Sequence, residues 1–164
     1  MAIIVERVSG QSLNEFCHSQ IFEPLGMHDT QWRDDYSRVV RNRAIAYAPE
    51  ADGWQLVMPF ENVYGNGGLL TTAKDLVKFT LNLEAGELGG PQFVKEMHQV
   101  GALADGEQIE YASGLFIKDY KGIPVIEHGG ATAGYRSLLS RYPEQNLIVS
   151  VVSNAANISG NRIR

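Results

Sequence analysis

A change in the hydrophobic pattern at Tyr111 is the feature that most limits what this chain can fold into. From that residue onward, apolar and polar residues alternate with a period of two, which is the spacing of a half-buried β-strand. Short alternating runs joined by turn sequences are typical of consecutive antiparallel strands. The sequence therefore predicts an antiparallel meander within residues 106–164. Its β-rich runs are residues 112–119, 123–128, 134–142 and 147–153, and the turns read DYKG, GGATA and PEQN.

The preceding residues, 1–105, are predicted to be mainly helical. Ser12 and Glu15 have the spacing of a capping box, and Thr72 with Asp75 repeats that spacing at the start of a second apolar stripe. Pro91 has the position typical of a first helical turn. Three helices are therefore predicted, at residues 12–26, 72–86 and 91–100.

One short hairpin interrupts this helical part. Asp52-Gly53 lies between two β-like runs, and Asp-Gly is a strong signal for a two-residue hairpin turn. A chain of 164 residues fits one domain. The predicted fold class is α/β of the α+β type, with helices packed on an antiparallel β-sheet in a single domain over residues 1–164.

Both ends of the chain are predicted to lie inside structural elements. Ile3, Ile4 and Val8 have helical spacing, and Gly10 follows them where a helix C-terminus favours glycine, but no N-cap precedes the run. At the other end, SNAANISGNRIR begins like a helix and stops before an amphipathic face develops. We therefore expect the domain to be partial.

Composition restricts the class of partner. Apolar residues make up 44% of the chain and charged residues 20%, and no run of 18 apolar residues occurs, so no membrane-spanning segment is predicted. The net charge is -5 with interspersed signs, which argues against a nucleic acid or an anionic membrane as partner. A small molecule is the predicted partner. The single cysteine, Cys17, lies on an apolar helical face and is assigned to the core.

Several common motifs are absent from the sequence. YGNGGLL has Leu70 where a dinucleotide-binding loop needs its third glycine, and no glycine precedes Lys-Ser or Lys-Thr. The four histidines lack metal-ligand spacing, so no metal site is predicted. The nucleophile elbow G-x-S-x-G is missing as well. Asp34 and Asp35 are adjacent on a polar stretch and are interpreted as a cap or a solvated face.

The stretch EHGGATAG contains the strongest candidate site, at His128, Gly130 and Ala131. The histidine supplies a donor side chain, and the glycines let a ligand approach the backbone. The next residue, Ala131, would present an exposed N–H, as in an anion or oxyanion site. An ordinary glycine-rich turn that carries a histidine is the alternative interpretation.

Four ordered blocks resemble the penicillin-recognising serine hydrolases, which include class C β-lactamases, D-alanyl-D-alanine carboxypeptidases and related esterases. The blocks are IVERVSGQSLNEFCHSQIFEPLGMHDT, AYAPEADG, GNGGLLTTAKDLVKF and SGLFIKDYKGIPVIEHGGATAGYRSLLSRYPEQNLIVSVVSN. The resemblance corresponds to the C-terminal part of the family's domain, so it implies a truncated β-lactamase/transpeptidase-like fold. It also implies an amide, ester or peptide-like substrate and no cofactor.

In that family, His128-Gly129-Gly130 corresponds to the H-x-G motif. The resemblance implies that Gly130 keeps a strand edge open to substrate and that the Ala131 N–H forms one half of the oxyanion hole. His128 would bind a substrate carboxylate or assist proton transfer, which suits an imidazole that titrates near neutral pH.

The sequence also departs from the family pattern. The family's nucleophile is a serine in S-x-x-K, and no serine here has a lysine three residues later. Thr71 and Lys74 have that spacing but are interpreted as cap and surface residues. YGN, residues 64–66, spells the second motif, Y-x-N, at the wrong place in the order, and is interpreted as a turn led by Asn66-Gly67.

We therefore expect the nucleophile and the general base to lie in an N-terminal segment of the same domain that is missing from this chain. A non-catalytic binding or interaction module with the same fold is the alternative function.

Overall fold

A computed structural model describes residues 1–60, 62 and 64–159. The helices are α1 (Ala2–Ser9), α2 (Leu13–Cys17), which continues as a π-helix (His18–Phe22), α3 (Ala73–Ala85) and α4 (Gly90–Met97). The strands are β1 (Gln31–Trp32), β2 (Tyr47–Glu50), β3 (Gly53–Leu56), β4 (Leu69–Leu70), β5 (Phe116–Tyr120), β6 (Ile123–Thr132), β7 (Tyr135–Tyr142) and β8 (Leu147–Ser153).

The predicted meander is confirmed: β5, β6, β7 and β8 form one antiparallel sheet in chain order. The prediction was wrong about GGATA, because Gly129 and Gly130 are extended and pair with Leu138 and Ser137 inside β6. Only Ala133–Gly134 forms the turn. Glycine permits a turn, but here pairing with a neighbouring strand decides the conformation.

The first strand of the meander begins later than predicted. Residues 113–114 form a bend, and β5 starts at Phe116. Gly114 has a φ of 83°, which is the left-handed region and is incompatible with continuing a strand. Residues 112–115 therefore form a tight loop before β5, although their alternating composition is typical of a strand.

The helix predicted from Ser12 is confirmed, together with both halves of its capping box. The Ser12 hydroxyl accepts a hydrogen bond from the Glu15 N–H at 3.2 Å, and the Glu15 carboxylate accepts one from the Ser12 N–H at 2.9 Å. The π-helix that follows was not predicted. These two helices and the residues just after them contribute the buried cluster of Leu13, Cys17, Phe22 and Met27.

The second predicted capping box is only half formed. Thr72 caps α3 by accepting from the Asp75 N–H at 3.2 Å, but the Asp75 carboxylate does not return to Thr72. It accepts instead from the Asp29 N–H at 3.0 Å, the Thr30 hydroxyl at 2.9 Å and the Lys78 ammonium at 2.9 Å. Asp75 is 1% exposed, so it joins the loop after the π-helix to the start of α3.

The helix predicted from Pro91 is also present, as α4. It ends at Met97 rather than near Val100, and Pro91 lies in its first turn as expected. α1 ends at Gly10, which has a φ of 72° and donates its N–H to the Glu6 carbonyl, as the sequence predicted. Among residues 154–159, a bridge and a turn replace the predicted C-terminal helix. Residues 160–164 lie outside the described part.

The predicted hairpin is confirmed as β2 and β3, with Pro49 paired to Trp54. Its base packs against the turn between β6 and β7, where a Cβ on Gly134 would lie 2.8 Å from the Tyr47 nitrogen. Tyr47 also donates its N–H to the Asn154 carbonyl at 2.8 Å. Only glycine fits at position 134, so the hairpin is attached directly to the end of β6.

α3 and α4 cover one face of the sheet. The Arg141 guanidinium of β7 pairs with the Glu84 carboxylate of α3, and Arg141 is buried. A mainly apolar cavity of about 260 Å³ separates the helices from the sheet. Its apolar lining includes Leu83, Val94, Leu115, Ile126 and Leu139. Among the described residues, β8 pairs only with β7, so its outer edge is unpaired.

Replacement of Asp75 by asparagine tests the buried carboxylate. Burial acts to raise the pKa of Asp75, but hydrogen bonds from Lys78, Thr30 and the Asp29 N–H outweigh it, so the pKa lies below its ordinary value. The contribution to stability is therefore present above the unfolded pKa of about 3.9 and is lost as the pH falls through the folded pKa.

We expect Asp75→Asn to lower the free energy of unfolding by about 1.5–3 kcal/mol at neutral pH, since hydrogen bonds to a charged group are lost. The difference from the wild type should shrink below about pH 4. Urea denaturation over a pH series measures both effects. Asp35→Asn, at an exposed carboxylate that caps Ser37, is the control and should change little. An equal loss at neutral and acidic pH would contradict the assignment.

Candidate functional site

His128 lies on β6 with an exposed side chain, and both of its ring nitrogens have a polar neighbour. Nδ1 is 2.6 Å from the Gly129 carbonyl oxygen, and Nε2 is 3.2 Å from the Tyr111 hydroxyl. Its ring is therefore held at the surface of the sheet by two contacts, of which one comes from the loop before β5.

Aromatic rings surround the imidazole. The Phe116 ring lies 5.6 Å from it at 30°, and the Tyr111 ring lies 6.0 Å from it at 61°. Tyr111 and Phe116 contact each other edge to face at 4.7 Å, a favourable geometry for an aromatic pair. Neither Tyr111 nor Phe116 was identified from the sequence. The one signal that could have found Phe116 is the register of the β5–β6 hairpin, which places it opposite Glu127.

The negative charge next to His128 is neutralised locally. Glu127 is 3% exposed and accepts hydrogen bonds from Lys118 and Ser140, each at 3.2 Å. Successive residues of a strand point to opposite faces of the sheet, so this carboxylate is directed away from the imidazole. The Glu127 carboxylate is therefore buried and paired with Lys118 rather than exposed beside His128.

Beyond Glu127, β6 has a strand neighbour on one side only. β5 begins at Phe116, opposite Glu127, whereas β7 continues to pair with β6 as far as Thr132. No described strand lies on the β5 side of residues 128–132. We call this unpaired side, from His128 to Thr132, the open edge.

Two-residue turns close both ends of β6, at Lys121–Gly122 and at Ala133–Gly134. A two-residue hairpin turn is flanked by a hydrogen-bonded pair of residues. Ile123 therefore directs its backbone N–H and C=O to β5, and Thr132 directs its own to β7.

Backbone groups alternate between the two sides along an antiparallel strand. Counting from either turn, the backbone N–H and C=O groups of the odd-numbered residues of β6 point to the β5 side. Those of the even-numbered residues point to β7. The two turns agree on this assignment. The Gly129 carbonyl and the Ala131 N–H therefore point to the open edge, where the Gly129 carbonyl meets Nδ1 of His128.

Gly130 faces the neighbouring strand closely. A Cβ on Gly130 would lie 2.4 Å from the Ser137 hydroxyl oxygen, below any normal contact distance. At Gly129 a Cβ would lie 3.6 Å from the Ser137 carbonyl oxygen, which is an ordinary contact. A side chain at position 130 would thus force the Ser137 hydroxyl to turn away.

The three predicted site residues are therefore adjacent on one exposed segment of β6. The open edge offers an N–H donor at Ala131, a carbonyl acceptor at Gly129 and an imidazole at His128. A backbone donor and an imidazole side by side suit a ligand with a carbonyl or carboxylate oxygen, particularly an extended one that runs along the strand edge.

Tyr64, the first residue of the YGN tripeptide, has a structural role in the described part of the chain. Its hydroxyl donates to the Glu6 carboxylate of α1 at 3.0 Å, and its ring packs on the cluster around Leu13. That hydrogen bond raises the pKa of Tyr64. Bends at residues 65–67 confirm the predicted turn.

The other polar candidates are also used structurally. The Thr71 hydroxyl lies 2.8 Å from the Thr30 hydroxyl, and Lys74 is exposed on α3. Asp34 pairs with Arg38 at 2.8 Å. Cys17 is buried, which raises the pKa of its thiol.

No group of three or more potential metal ligands occurs among the residues that the structure describes. In the same residues, no helix has the length and apolarity needed to cross a membrane.

Comparisons with known proteins agree with this architecture. The family model described as Beta-lactamase matches residues 1–162. Penicillin-binding protein 4* of Bacillus subtilis is 23% identical over 169 residues, covering 94% of this chain and 37% of that protein. A D-aminopeptidase of Cereibacter sphaeroides is 24% identical over 155 residues, covering 92% of this chain and 29% of that protein.

A solved structure confirms the predicted fold class. The octameric penicillin-binding protein homologue from Pyrococcus abyssi has a TM-score of 0.82 at 26% identity, over 99% of this chain and 38% of that one. The chain therefore spans less than two fifths of the length of these three proteins.

Substitution of the two glycines tests the packing at the open edge. Gly130→Ala should lower the free energy of unfolding by about 1 kcal/mol, because the new methyl group forces the Ser137 hydroxyl to turn away. Gly129→Ala is the matched control and should be closer to neutral. Ser137→Ala should relieve the defect in Gly130→Ala, since the Ser137 Cβ would lie 3.7 Å away. Equal stability of the two single variants, measured by urea denaturation, would refute this.

Proposed function

Because the chain belongs to the Beta-lactamase family, we propose that it forms the H-x-G part of a serine hydrolase that cleaves amide or ester bonds. Two relatives, a penicillin-binding protein and a D-aminopeptidase, support an amide or amide-like substrate. In the proposed reaction a serine hydroxyl attacks the substrate carbonyl, the leaving group departs with a proton, and water then hydrolyses the acyl-enzyme.

The open edge is the observation that carries this proposal. A substrate extended along residues 128–132 would bind by backbone hydrogen bonds, and its carbonyl oxygen would meet the Ala131 N–H. A backbone N–H fixed before the reaction stabilises the negative charge that develops on that oxygen. Gly130 would keep this part of β6 close to β7, and the exposed His128 would contact a substrate carboxylate or transfer a proton.

The nucleophile and its base are proposed to come from residues outside these 164. No serine in the chain precedes a lysine by three positions, and Thr71 is already paired with Thr30. The related proteins are more than twice as long as the matched region. The proposed partners are thus an N-terminal segment of the same domain and a small-molecule or peptide-like substrate, with no cofactor.

The 164-residue chain by itself should not become acylated. We expect no covalent label from a fluorophosphonate or a penicillin, and no hydrolysis of nitrocefin or p-nitrophenyl esters, because the covalent step needs the absent nucleophile. Intact-mass spectrometry gives the stoichiometry of labelling. A full equivalent of acyl group on the purified chain would refute the proposal and direct attention to Thr71 or another hydroxyl.

His128→Ala tests the site in the complete enzyme, with an upstream segment bearing S-x-x-K and Y-x-N joined in frame. We expect kcat/KM to fall about 10²–10³-fold, in the range for loss of one electrostatic or proton-transfer group. Stability should change little because the side chain is exposed.

Phe22→Ala is a control for which we expect the reverse pattern, because Phe22 is 5% exposed and lies in the core cluster. It should cost about 3–5 kcal/mol of stability and leave the rate of the remaining folded enzyme nearly unchanged. A wild-type rate for folded His128→Ala would make the histidine an ordinary strand residue. It would then favour the alternative, a non-catalytic binding module.

A further inference from the structure

The two contacts of His128 together determine which ring nitrogen carries the proton. The Gly129 carbonyl oxygen, 2.6 Å from Nδ1, can only accept a hydrogen bond, so Nδ1 must be the donor. A neutral imidazole has one N–H, which leaves Nε2 as an acceptor. The Tyr111 hydroxyl, 3.2 Å from Nε2, must then be the donor.

Tyr111 is itself held in place by its backbone. Its carbonyl accepts from the Gly101 N–H at 2.9 Å, and the residue pairs with Phe116 in an isolated bridge. Its ring is also packed edge to face on the Phe116 ring. The hydroxyl therefore reaches His128 from a fixed position rather than from a free side chain.

We propose that Tyr111 is a positioning residue for His128, which donates to Nε2 and holds the neutral imidazole in its Nδ1–H tautomer. In this tautomer the ring can take up a proton only at Nε2. The Tyr111 hydroxyl therefore lies at the ring nitrogen that would exchange a proton. Its importance for catalysis rests on the proposed function, whereas the tautomer is a property of the chain itself.

Nuclear magnetic resonance tests the tautomer directly. Long-range ¹H–¹⁵N correlation spectra distinguish Nδ1–H from Nε2–H imidazoles at alkaline pH, where histidines are neutral. The His128 signals are assigned from the spectrum of His128→Gln, and the three other histidines serve as internal references. We expect the Nδ1–H pattern for His128 in the wild-type chain. A predominant Nε2–H pattern would overturn the proposal without any variant.

Tyr111→Phe removes only the hydroxyl and keeps the ring contact with Phe116. We expect the Nδ1–H population of His128 to fall and an Nε2–H pattern to become visible, with the backbone amide spectrum otherwise preserved. Tyr36→Phe is the matched control, because Tyr36 contacts Phe60 rather than His128. An unchanged tautomer in Tyr111→Phe would overturn the proposal.

A double-mutant cycle, measured as kcat/KM in the complete enzyme, separates this proposal from the proposed function. Tyr111→Phe should lower kcat/KM when His128 is present and have no further effect in the His128→Ala background. Independent effects of the two substitutions would refute positioning through His128. Inactivity of the complete enzyme with an Nδ1–H tautomer in the chain would instead reject the proposed function and leave the tautomer assignment standing.

Discussion

The site depends on the alternation of backbone hydrogen bonds along β6, which the turns at its two ends determine. Ile123 must bond to β5 and Thr132 must bond to β7, and these residues are nine positions apart. An odd separation makes the two requirements compatible on one continuous strand. A single inserted residue would reverse the alternation at one end and turn the Ala131 N–H toward β7.

The residues around the open edge are consistent with this constraint. β5 ends its pairing opposite Glu127, which leaves residues 128–132 without a neighbour on that side among the described strands. Gly130 allows close approach to Ser137, and Gly134 allows the hairpin base at Tyr47 to pack against the turn. The open edge is thus supported from β7 and from the hairpin, while its other side stays accessible. A site on a supported strand holds its donors in place before a ligand binds.

The elements that the sequence predicted well are those whose signals are local. The Ser12–Glu15 capping box forms as spelled, and Gly10 and Pro91 mark helix ends that depend only on neighbouring residues. Thr72 and Asp75 have the same spacing, but only the Thr72 half of their capping box forms. Asp29 and Thr30, more than 40 residues away in sequence, donate to the Asp75 carboxylate in place of the Thr72 backbone N–H.

The candidate site was predictable only in part for the same reason. Its composition at residues 128–131 was visible, but the pairing of both glycines with β7 is a tertiary effect that overrides their preference for turns. The β1–β4 pair was missed because each strand has two residues and the partners are far apart in sequence. Tyr111 was missed because no local pattern links it to a histidine 17 positions later.

Tyr111 ends the segment of residues 101–111, which contains turns and isolated bridges but no helix or strand. The site therefore depends on how this segment is held in place. The Gly101 N–H bonds to the Tyr111 carbonyl, and the Ile109 N–H returns to the Gly101 carbonyl at 3.0 Å. A Cβ on Gly101 would lie 3.3 Å from the Ile109 side chain, so an alanine there would require the Ile109 side chain to shift. Because the Tyr111 hydroxyl contributes to the tautomer proposed for His128, residues 101–111 influence the chemistry of the open edge without lying on it.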